Sequence, residues 1–406
     1  MKIAILTLGT RGDVQPYAVL GQALKKRGHS VVLSTAKSFQ NLVESYGLNF
    51  IPVEADFQAL LTSEEGKKIR KNPFLAKKQL SRFVYPMLED AFAKFYELAK
   101  QSDKVLFHAK TMADTFADQF PEKMIKADVV PASQPTKEFA NPVFSALSLP
   151  SFLNKLTYKL TELGLKMWTK PVNDFRIKAG LPAQFKKPDL PSIYGVSEYL
   201  LKKPIDFPAN SFFTGFWVDE SNAELDNNII EFLANGDAPL LITFGSMPFD
   251  SQLNLIDLVN AVSKELNTRI ILVKGWGLSN VEQLSSNPNI KVVDHVPYDK
   301  LFPLVKAIIH HGGIGTIAAC LKSGKPFLTC PVLYPLGDQH FWGTLAFQKG
   351  VGLKPLPLKK VTKEKFIESI RKLLSDSNLY LNAKKIGEQV SNENGLAKAI
   401  EIIEKI

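Results

Sequence analysis

The residues whose types and spacing are best suited to ligand binding form a glycine-rich stretch in the second half of the chain. Gly312, Gly313 and Gly315 follow a strand-like segment and open a helix-like one. Glycines permit close approach to the backbone, and a helix start offers unpaired N–H groups and a positive dipole end, which suit a diphosphate. His311 and Thr316 would add side-chain donors. An ordinary tight turn with a buried histidine is the alternative interpretation.

Two further polar motifs follow predicted strand ends in the same half. Ser246 lies in the segment 244–247, and the pair Asp338 and Gln339 follows a later strand. Ligands of open parallel sheets collect at the carboxyl ends of the strands, so these motifs would converge on one nucleotide-sugar. Asp338 and Gln339 suit the hydroxyls of a sugar. The alternative is that they cap a helix predicted to begin at Phe341.

A third motif fills the turn after the first predicted strand, where Thr10, Arg11 and Gly12 precede Asp13. A carboxylate at such a strand end can accept a proton from an acceptor hydroxyl, a role that contributes about 10²- to 10⁴-fold in rate. Capping of a helix predicted from Val14 is the alternative, and the two roles are compatible. The glycines do not follow the dinucleotide-binding pattern, so NAD binding is disfavoured.

The composition is that of a folded globular protein rather than of a disordered or fibrous one. A chain of 406 residues exceeds one ordinary core, so two domains of roughly 200 residues are expected. No apolar run approaches the roughly 20 residues that span a bilayer, and no cleavage-site pattern follows the first strand, which favours a cytoplasmic protein. Cys320 and Cys330 make neither a disulfide framework nor a metal site. The net charge of +10 does not by itself select a partner.

The elements that must position these motifs alternate between strand and helix. In the first half, strand patterns occur at 2–8, 30–35, 48–53, 105–108 and 127–130, and helical patterns at 14–27, 39–46, 60–100 and 153–179. Strands connected through helices pair in parallel, so a parallel sheet is predicted.

The second half repeats this architecture after a polar segment at 218–228. Short strand patterns occur at 240–244, 270–273, 290–293, 307–310 and 327–330. We therefore expect domains at 1–217 and 218–406, with the last helix a candidate to pack back on the first domain. The predicted fold class is α/β, with two facing Rossmann-like domains built on parallel sheets.

These motifs together resemble the sterol and glycopeptide-antibiotic branch of the UDP-glycosyltransferase family. The matching segments are 9–16, 28–29, 176–182, 194–204, 215–217, 244–247, 297–302, 310–316, 337–339 and 341–343. The resemblance implies the GT-B fold, an acceptor pocket in the first domain, a nucleotide pocket in the second, and inversion at the anomeric carbon. It is faint from 60 to 150, where we expect acceptor choice to reside.

The resemblance also implies a role for each motif. Asp13 would be the catalytic base, and Asp338 with Gln339 would bind sugar hydroxyls. The diphosphate would be bound by Ser246, His311, Gly312, Gly313, Gly315 and Thr316. The nucleobase would be bordered by His295, Val296 and Pro297, although plant relatives have tryptophan at the position of His295.

Two histidines depart from related patterns. Some branches use a histidine base just after the first strand, but the first histidine here is His29, at the far end of the first helix. Asp13 is therefore the remaining candidate. His340 stands where many relatives have proline, and we assign it no role. We expect His108, at a strand end, to be structural.

The leading hypothesis is a hexosyltransferase that moves glucose from UDP-glucose to a sterol, another lipid, or a polyketide- or flavonoid-like alcohol. The nucleotide-sugar is a co-substrate, and no cofactor is expected. No metal is expected either, because the chain lacks the Asp-x-Asp triplet that usually carries manganese in the other major glycosyltransferase fold.

Other functions stay open. A sugar-nucleotide epimerase can share the fold, but the apolar residues of 144–168 favour an acceptor pocket. A catalytically silent helper protein would need neither Asp13 nor the His311 cradle. A nucleic-acid partner is disfavoured because the basic residues are dispersed. The basic stretch 67–83 could contact an anionic membrane, which would make the protein peripheral there, or could be a solvated helical face.

Overall fold

The computed structural model describes residues 1–54, 73–147, 149–218, 220–221, 223–245, 254–275 and 281–406, with the backbone alone for 73–83, 282 and 360. The described strands of the first sheet are β1 (Lys2–Leu6), β2 (Ser30–Ala36), β3 (Asn49–Val53), β4 (Lys104–Phe107), β5 (Met124–Asp128), β6 (Ser192–Tyr194) and β7 (Ser211–Phe213). They pair in parallel in the order β3-β2-β1-β4-β5-β6-β7.

The described strands of the second sheet are β8 (Leu240–Thr243), β9 (Ile270–Val273), β10 (Ile290–Val293), β11 (Ala307–His310), β12 (Phe327–Thr329) and β13 (Gly352–Leu353). They pair in parallel in the order β10-β9-β8-β11-β12-β13. The parallel α/β fold class is thus confirmed, and its two sheets have the Rossmann-like arrangement.

The described α-helices surround these sheets. They are α1 (Arg11–Lys26), α2 (Gln40–Ser45), α3 (Pro73–Gln101), α4 (Asn154–Leu165), α5 (Thr169–Lys178), α6 (Asn227–Ala234), α7 (Leu255–Glu265), α8 (Tyr298–Leu301), α9 (Ile314–Ser323), α10 (Gln339–Gln348), α11 (Lys363–Ser375), α12 (Ser377–Ser391) and α13 (Gly395–Lys405). None of these helices combines the length and apolar character that crossing a membrane requires.

Both faces of the first sheet are buried, which explains why its strands carry apolar residues on both faces. Ile5 on one face belongs to the same core as Val14 of α1, whereas Leu6 on the other face packs in a core with Phe92 and Phe95 of α3. The second sheet is covered in the same way. The result is a pair of three-layer α/β units.

Each sheet has a topological switch point, where the strand order reverses. In the first sheet it lies between β1 and β4, and in the second between β8 and β11. Loops that leave two such strands diverge to opposite faces and open a crevice, which is where ligands of this fold bind. The crevices are therefore bordered by the segments that follow Leu6, Phe107, Thr243 and His310.

The chain crosses back between the two units at its end. Helix α13 lies against α1, where Glu404 Oε1 is 3.3 Å from Arg27 Nε and 3.0 Å from His29 Nε2. Gly395 begins α13 so close to the first unit that a Cβ there would lie 2.6 Å from the carbonyl oxygen of Phe216. We keep the division at 217 and 218 as a proposal.

Several predicted elements are wrong in their bounds. The helix predicted at 14–27 begins at Arg11, and the helical region 153–179 is interrupted by a 3-10 turn at Lys166–Trp168. The restart at Thr169 places Pro171 in the first turn of α5, where its missing N–H costs no hydrogen bond. The strand predicted at 127–130 lies at Met124–Asp128 because Val105 of β4 pairs with Met124.

Candidate active site

The first crevice holds Asp13 in a fixed position. Helix α1 begins with a capping box, in which Asp13 Oδ2 accepts the backbone N–H of Thr10 at 2.9 Å and its hydroxyl at 3.1 Å. Asp13 therefore supports the helix from the third helical position, and the prediction that it precedes a helix starting at Val14 is wrong. Gly9, at φ +139°, leaves room for the Asp13 carboxylate, because a Cβ at position 9 would collide with it.

Lys110 is a charged neighbour of Asp13 that the sequence pattern did not indicate. It follows β4 on the other side of the switch point, and its Nζ lies 2.6 Å from Asp13 Oδ1. The Lys110 side chain is 58% exposed and the Asp13 side chain 11%. The ion pair thus has one buried partner and one that remains open to the crevice.

The ionisation of Asp13 follows from this environment. Burial raises the pKa of Asp13, but the charges of Lys110 and His108, together with the bonds from Lys110 and Thr10, outweigh it, so that the pKa lies below its usual value. Asp13 is consequently a carboxylate at neutral pH. Burial lowers the pKa of Lys110, but the charge and hydrogen bond of Asp13 raise it, and the net change is an increase. Lys110 is therefore an ammonium at neutral pH.

His108 and Asp128 form the floor of this crevice. His108 is buried, its Nε2 lies 3.9 Å from Asp128 Oδ1, and its ring is 5.5 Å from that of Tyr17. Asp128 accepts hydrogen bonds from Ala109 N at 2.9 Å and Ser133 Oγ at 2.8 Å. Burial is the largest influence on the pKa of His108 and lowers it. These contacts fit the structural role expected for His108, beside Asp13.

The second crevice contains the predicted glycine cradle at the start of α9. Gly313 is the N-cap residue, and no side chain in the described part of the chain caps this helix. Gly312, at φ +94°, lets α10 approach, since a Cβ there would lie 2.8 Å from the carbonyl oxygen of Gln339. Among the described residues, no atom lies within 4 Å of a Cβ built at Gly315. The first-turn N–H groups of α9 therefore face room for an anion, with Thr316 buried beside them.

His311 lies between two glycines of this crevice. A Cβ at Gly245 would be 2.8 Å from His311 Cε1, and one at Gly313 would be 2.5 Å from His311 Nε2. Within the described residues, the buried His311 Nδ1 has no hydrogen-bond partner. Burial lowers the pKa of His311 to about 4, so the imidazole is neutral at physiological pH. Its neighbour His310 orders the turn by accepting the Gly312 N–H at Nδ1, at 3.1 Å.

Asp338 and Gln339 lie at the start of α10, at the same edge. The helix begins at Gln339, not at Phe341 as predicted, and the Asp338 side chain does not cap it. Asp338 Oδ2 instead accepts the Trp342 Nε1–H at 2.9 Å. Gln339 Oε1 accepts the backbone N–H groups of Val332 and Leu333, at 2.8 and 2.9 Å, and so fixes the preceding loop.

Asp338 also connects this edge to the first crevice. Desolvation raises the pKa of Asp338, the charge of Lys110 lowers it, and the charge of Asp13 raises it, with a net increase. Lys110 is therefore within electrostatic range of both carboxylates. Nearby, Gly337 N–H donates to the carbonyl oxygen of Val143 at 2.9 Å, and the Phe139 and Phe341 rings are 5.2 Å apart. The two crevices thus face one another.

The remaining predicted residues lie farther along the second edge or outside the described part. His295 is exposed, whereas Val296 and Pro297 are half-buried between β10 and α8. Tyr298, next in the chain, connects this loop to the end of β8 through a 3.2 Å contact between its hydroxyl and Thr243 Oγ1. Arg11 and Gly12 are exposed at the opposite edge. Ser246 lies outside the described residues.

Comparison with known proteins gives a family match in each half of the chain. Residues 3–117 match the glycosyltransferase family 28 N-terminal domain, and residues 255–405 match the erythromycin biosynthesis protein CIII-like C-terminal domain. An O-mycaminosyltylonolide 6-deoxyallosyltransferase of Streptomyces fradiae is 29% identical over 100% of this chain and 97% of its own length. A sterol 3-beta-glucosyltransferase of Arabidopsis thaliana is also 29% identical, over 99% of this chain and 65% of its own length.

Other relatives are longer, and solved structures share the fold. A sterol 3-beta-glucosyltransferase of Yarrowia lipolytica is 28% identical over 99% of this chain, which spans only 28% of that relative. The glycotransferase of kitacinnamycin superposes with a TM-score of 0.74 at 18% identity, covering 100% of this chain and 98% of the other. The glycosyltransferase VinC, solved with dTDP, gives a TM-score of 0.69 at 18% identity over 100% of both chains.

The paired parallel sheets and the two matched domains define a glycosyltransferase of the GT-B fold. Within that class, the chain resembles a family 28 glycosyltransferase in its first domain and an EryCIII-like protein in its second, and it is similar to sterol and macrolide glycosyltransferases.

Proposed function

We propose that this glycosyltransferase moves a hexose, glucose in the first instance, from a UDP-sugar to a hydroxyl of a hydrophobic acceptor such as a sterol, another lipid, or a polyketide- or flavonoid-like compound. The observation that carries the proposal is the Asp13 carboxylate near the end of β1, which lies 2.6 Å from Lys110 Nζ and within electrostatic range of Asp338 in the second unit. A carboxylate at that position can take a proton from an acceptor hydroxyl.

The donor sugar and nucleotide are chosen from the relatives. Glucose appears in the names of the sterol 3-beta-glucosyltransferases, whereas the Streptomyces fradiae relative is named for 6-deoxyallose. VinC was solved with dTDP, so thymidine and uridine are the two nucleosides to compare. The acceptor class rests on the sterol named for the plant and fungal relatives.

In the proposed reaction the acceptor oxygen forms a bond to the anomeric carbon while the bond from that carbon to the diphosphate breaks. The acceptor proton passes to Asp13, and attack from the face opposite the leaving group inverts the anomeric configuration. Asp13 Oδ2 already accepts both Thr10 donors, so Oδ1, which has room for a second hydrogen bond beside Lys110, is the oxygen we assign as the base.

The departing diphosphate carries the charge that the second crevice is suited to stabilise. The first-turn N–H groups of α9 and the dipole of that helix oppose the charge, and Thr316 and neutral His311 supply further donors. For the sugar, Asp338 Oδ1 would accept from a hydroxyl, because Oδ2 is bonded to Trp342. Gln339 would donate through its amide nitrogen, since its oxygen is bonded to the loop.

The proposal includes transfer without a metal. We assign charge compensation to the helix N-terminus and the neighbouring donors of the chain, and in the described residues no three His, Cys, Asp or Glu side chains group as metal ligands. Transfer should therefore persist in EDTA. Loss of activity in EDTA, restored by Mg²⁺ or Mn²⁺, would contradict this part of the proposal.

The test is nucleotide release from UDP-glucose and dTDP-glucose, in EDTA, with a panel of sterols, flavonoids and other lipophilic alcohols. We expect acceptor-dependent release by the wild type and a loss of about 10²- to 10⁴-fold in kcat for Asp13→Asn, with nucleotide affinity unchanged. Conversion of the donor without an acceptor would favour the epimerase alternative. Tight nucleotide binding without release for any donor would favour the silent helper.

A further inference from the structure

A stripe of exposed apolar side chains follows one face of α4 and continues onto the 3-10 turns that flank it, Ser151–Leu153 and Lys166–Trp168. Its members, which we call the α4 stripe, are Phe152, Leu156, Leu160, Leu163 and Met167. Their spacing of four, four, three and four residues places them in one row along a helix. Phe152 is 81% exposed and Leu163 61%. The opposite face, with Asn154, Thr157 and Tyr158, is buried against the first domain. The stripe therefore does not serve the core.

Lysines border the stripe along one side. Lys155, Lys159 and Lys166 each precede a stripe residue by one position, which on a helix places them about 100° to the same side. Lys155 lies 3.2 Å from Asp206, whereas Lys159 and Lys166 make no ion pair with any described residue. Glu162 is the acidic residue of α4. The surface thus combines an apolar row with an exposed basic edge.

Helix α3 contacts one end of this surface at Tyr85. The Tyr85 hydroxyl donates to the carbonyl oxygen of Met167 at 3.2 Å, and its ring is 6.3 Å from that of Trp168. Helix α3 continues from Tyr85 back to Pro73, and the sequence of 73–83 contains three basic residues and no acidic one. At 1.5 Å per residue, the backbone of Arg82 is about one helical turn from Tyr85.

We propose that the α4 stripe and its lysines form a docking surface for an anionic phospholipid bilayer. An apolar row beside lysines matches the boundary between acyl chains and anionic headgroups, where both parts contribute to binding. A second copy of the chain fits less well. A two-fold contact through the stripe would bring one basic edge near another, with only Glu162 of α4 to compensate them.

The surface is one helix away from the crevices. On its buried side, Thr157 Oγ1 accepts the backbone N–H of Asn141 at 2.8 Å, and two residues later the carbonyl oxygen of Val143 accepts the N–H of Gly337, next to Asp338. A bilayer bound to the α4 stripe would lie near the acceptor side of the site. This delivery step rests on the proposed function, whereas docking itself does not.

The test is flotation of the full chain with vesicles of phosphatidylcholine, alone or with about 30% phosphatidylglycerol, at about 0.1 M and about 0.5 M NaCl. We expect flotation with the anionic vesicles at low salt, weakened by high salt. Replacing Phe152, Leu156 and Leu163 together by Gln should lower the apparent vesicle affinity by roughly tenfold or more. The pair Lys159→Glu and Lys166→Glu should abolish the preference for anionic lipid.

A matched control replaces Ile205, Ile230 and Leu381 by Gln, because these apolar side chains are also exposed but lie off the stripe. It should float like the wild type. Thermal unfolding and binding of UDP should be equal in all variants, which separates docking from folding and from the donor site. The proposal is overturned by no flotation at any composition, by equal flotation of the stripe variant and the wild type, or by a dimer that only the stripe variant loses.

Discussion

At the scale of the residue, the carboxylate Asp13 depends on a neighbour that sequence reasoning missed. The position of Asp13 at this crevice could be predicted, since it closely follows the first strand and belongs to a motif that the resemblance covers. Lys110 lies 97 positions away and in no recognisable motif, and only the switch point between β1 and β4 brings it to 2.6 Å from Asp13. A hydrogen-bond partner across such a sequence separation has no local signal.

The effect of Lys110 on the acid limb of the pH–rate profile is testable with Lys110→Met. Lys110 lowers the pKa of Asp13, and burial raises it, so removing the ammonium leaves burial less opposed and the pKa of Asp13 rises. The ionised form of Asp13, the proposed base, is then lost at a higher pH. We expect the acid limb of kcat/KM to move to higher pH, as measured by initial rates between about pH 4 and pH 8.

Two comparisons show whether that shift belongs to the charge at Lys110. Lys110→Arg keeps a cation and should leave the acid limb close to that of the wild type. Lys94→Met removes a lysine that is likewise paired with an aspartate, Asp90 at 2.9 Å, but on α3, away from the site, and should not move the limb. An unchanged acid limb in Lys110→Met, with folding intact, would show that Lys110 does not set the ionisation of the base.

At the scale of the element, the sequence predicts three mainly apolar strands to the residue and misses three still shorter ones. Strands β9, β10 and β11 have the predicted bounds, because a mainly apolar run is the signal of a buried parallel strand. Strands β6, β7 and β13 contain three, three and two residues, too few for any periodicity, and were not predicted. Their existence is decided by pairing with the neighbouring strand.

The sequence predicts that the start of α9 is an anion site, and Gly315 provides the test of this prediction. Among the described residues, no atom lies within 4 Å of a Cβ at this position, so Gly315→Leu should fit without disturbing the fold while filling the volume that we assign to the diphosphate. We expect the affinity for UDP, measured by calorimetry, to fall by roughly tenfold or more, with little change in the unfolding temperature.

Gly164→Leu is the matched control for Gly315→Leu. Gly164 also lies in a helix, α4, and a Cβ there would meet nothing within 4 Å, so the two substitutions change helix propensity and exposed surface in the same way. This control should bind UDP like the wild type. Equal UDP affinity for Gly315→Leu and the wild type would mean that the nucleotide does not use the first turn of α9.

At the scale of the whole molecule, the proposed reaction requires that the two crevices keep their mutual position. Asp13 belongs to the first unit and Asp338 to the second. Both carboxylates raise the pKa of Lys110, so the two units are electrostatically coupled at this point. The crossing of α13 over α1 is one contact that joins the units. Its register could not be read from the sequence, because it depends on the close approach of Gly395 to Phe216, which no local pattern encodes.

The substitution Gly395→Val tests the contribution of this crossing. Its Cβ would lie 2.6 Å from the Phe216 carbonyl oxygen, and backbone atoms cannot move aside as a flexible side chain can, so α13 should shift away from the first unit. We expect a loss of about 1–3 kcal/mol in the free energy of unfolding. Because Asp13 and Asp338 would be held less closely in register, kcat should fall more than the affinity for UDP, whose proposed ligands lie in the second unit.

Glu401→Val places the same β-branched residue at an exposed position of α13 and should change neither quantity appreciably. Calorimetry and kinetics of both variants decide the matter: if Gly395→Val is as stable and as active as Glu401→Val, the crossing helix does not align the site.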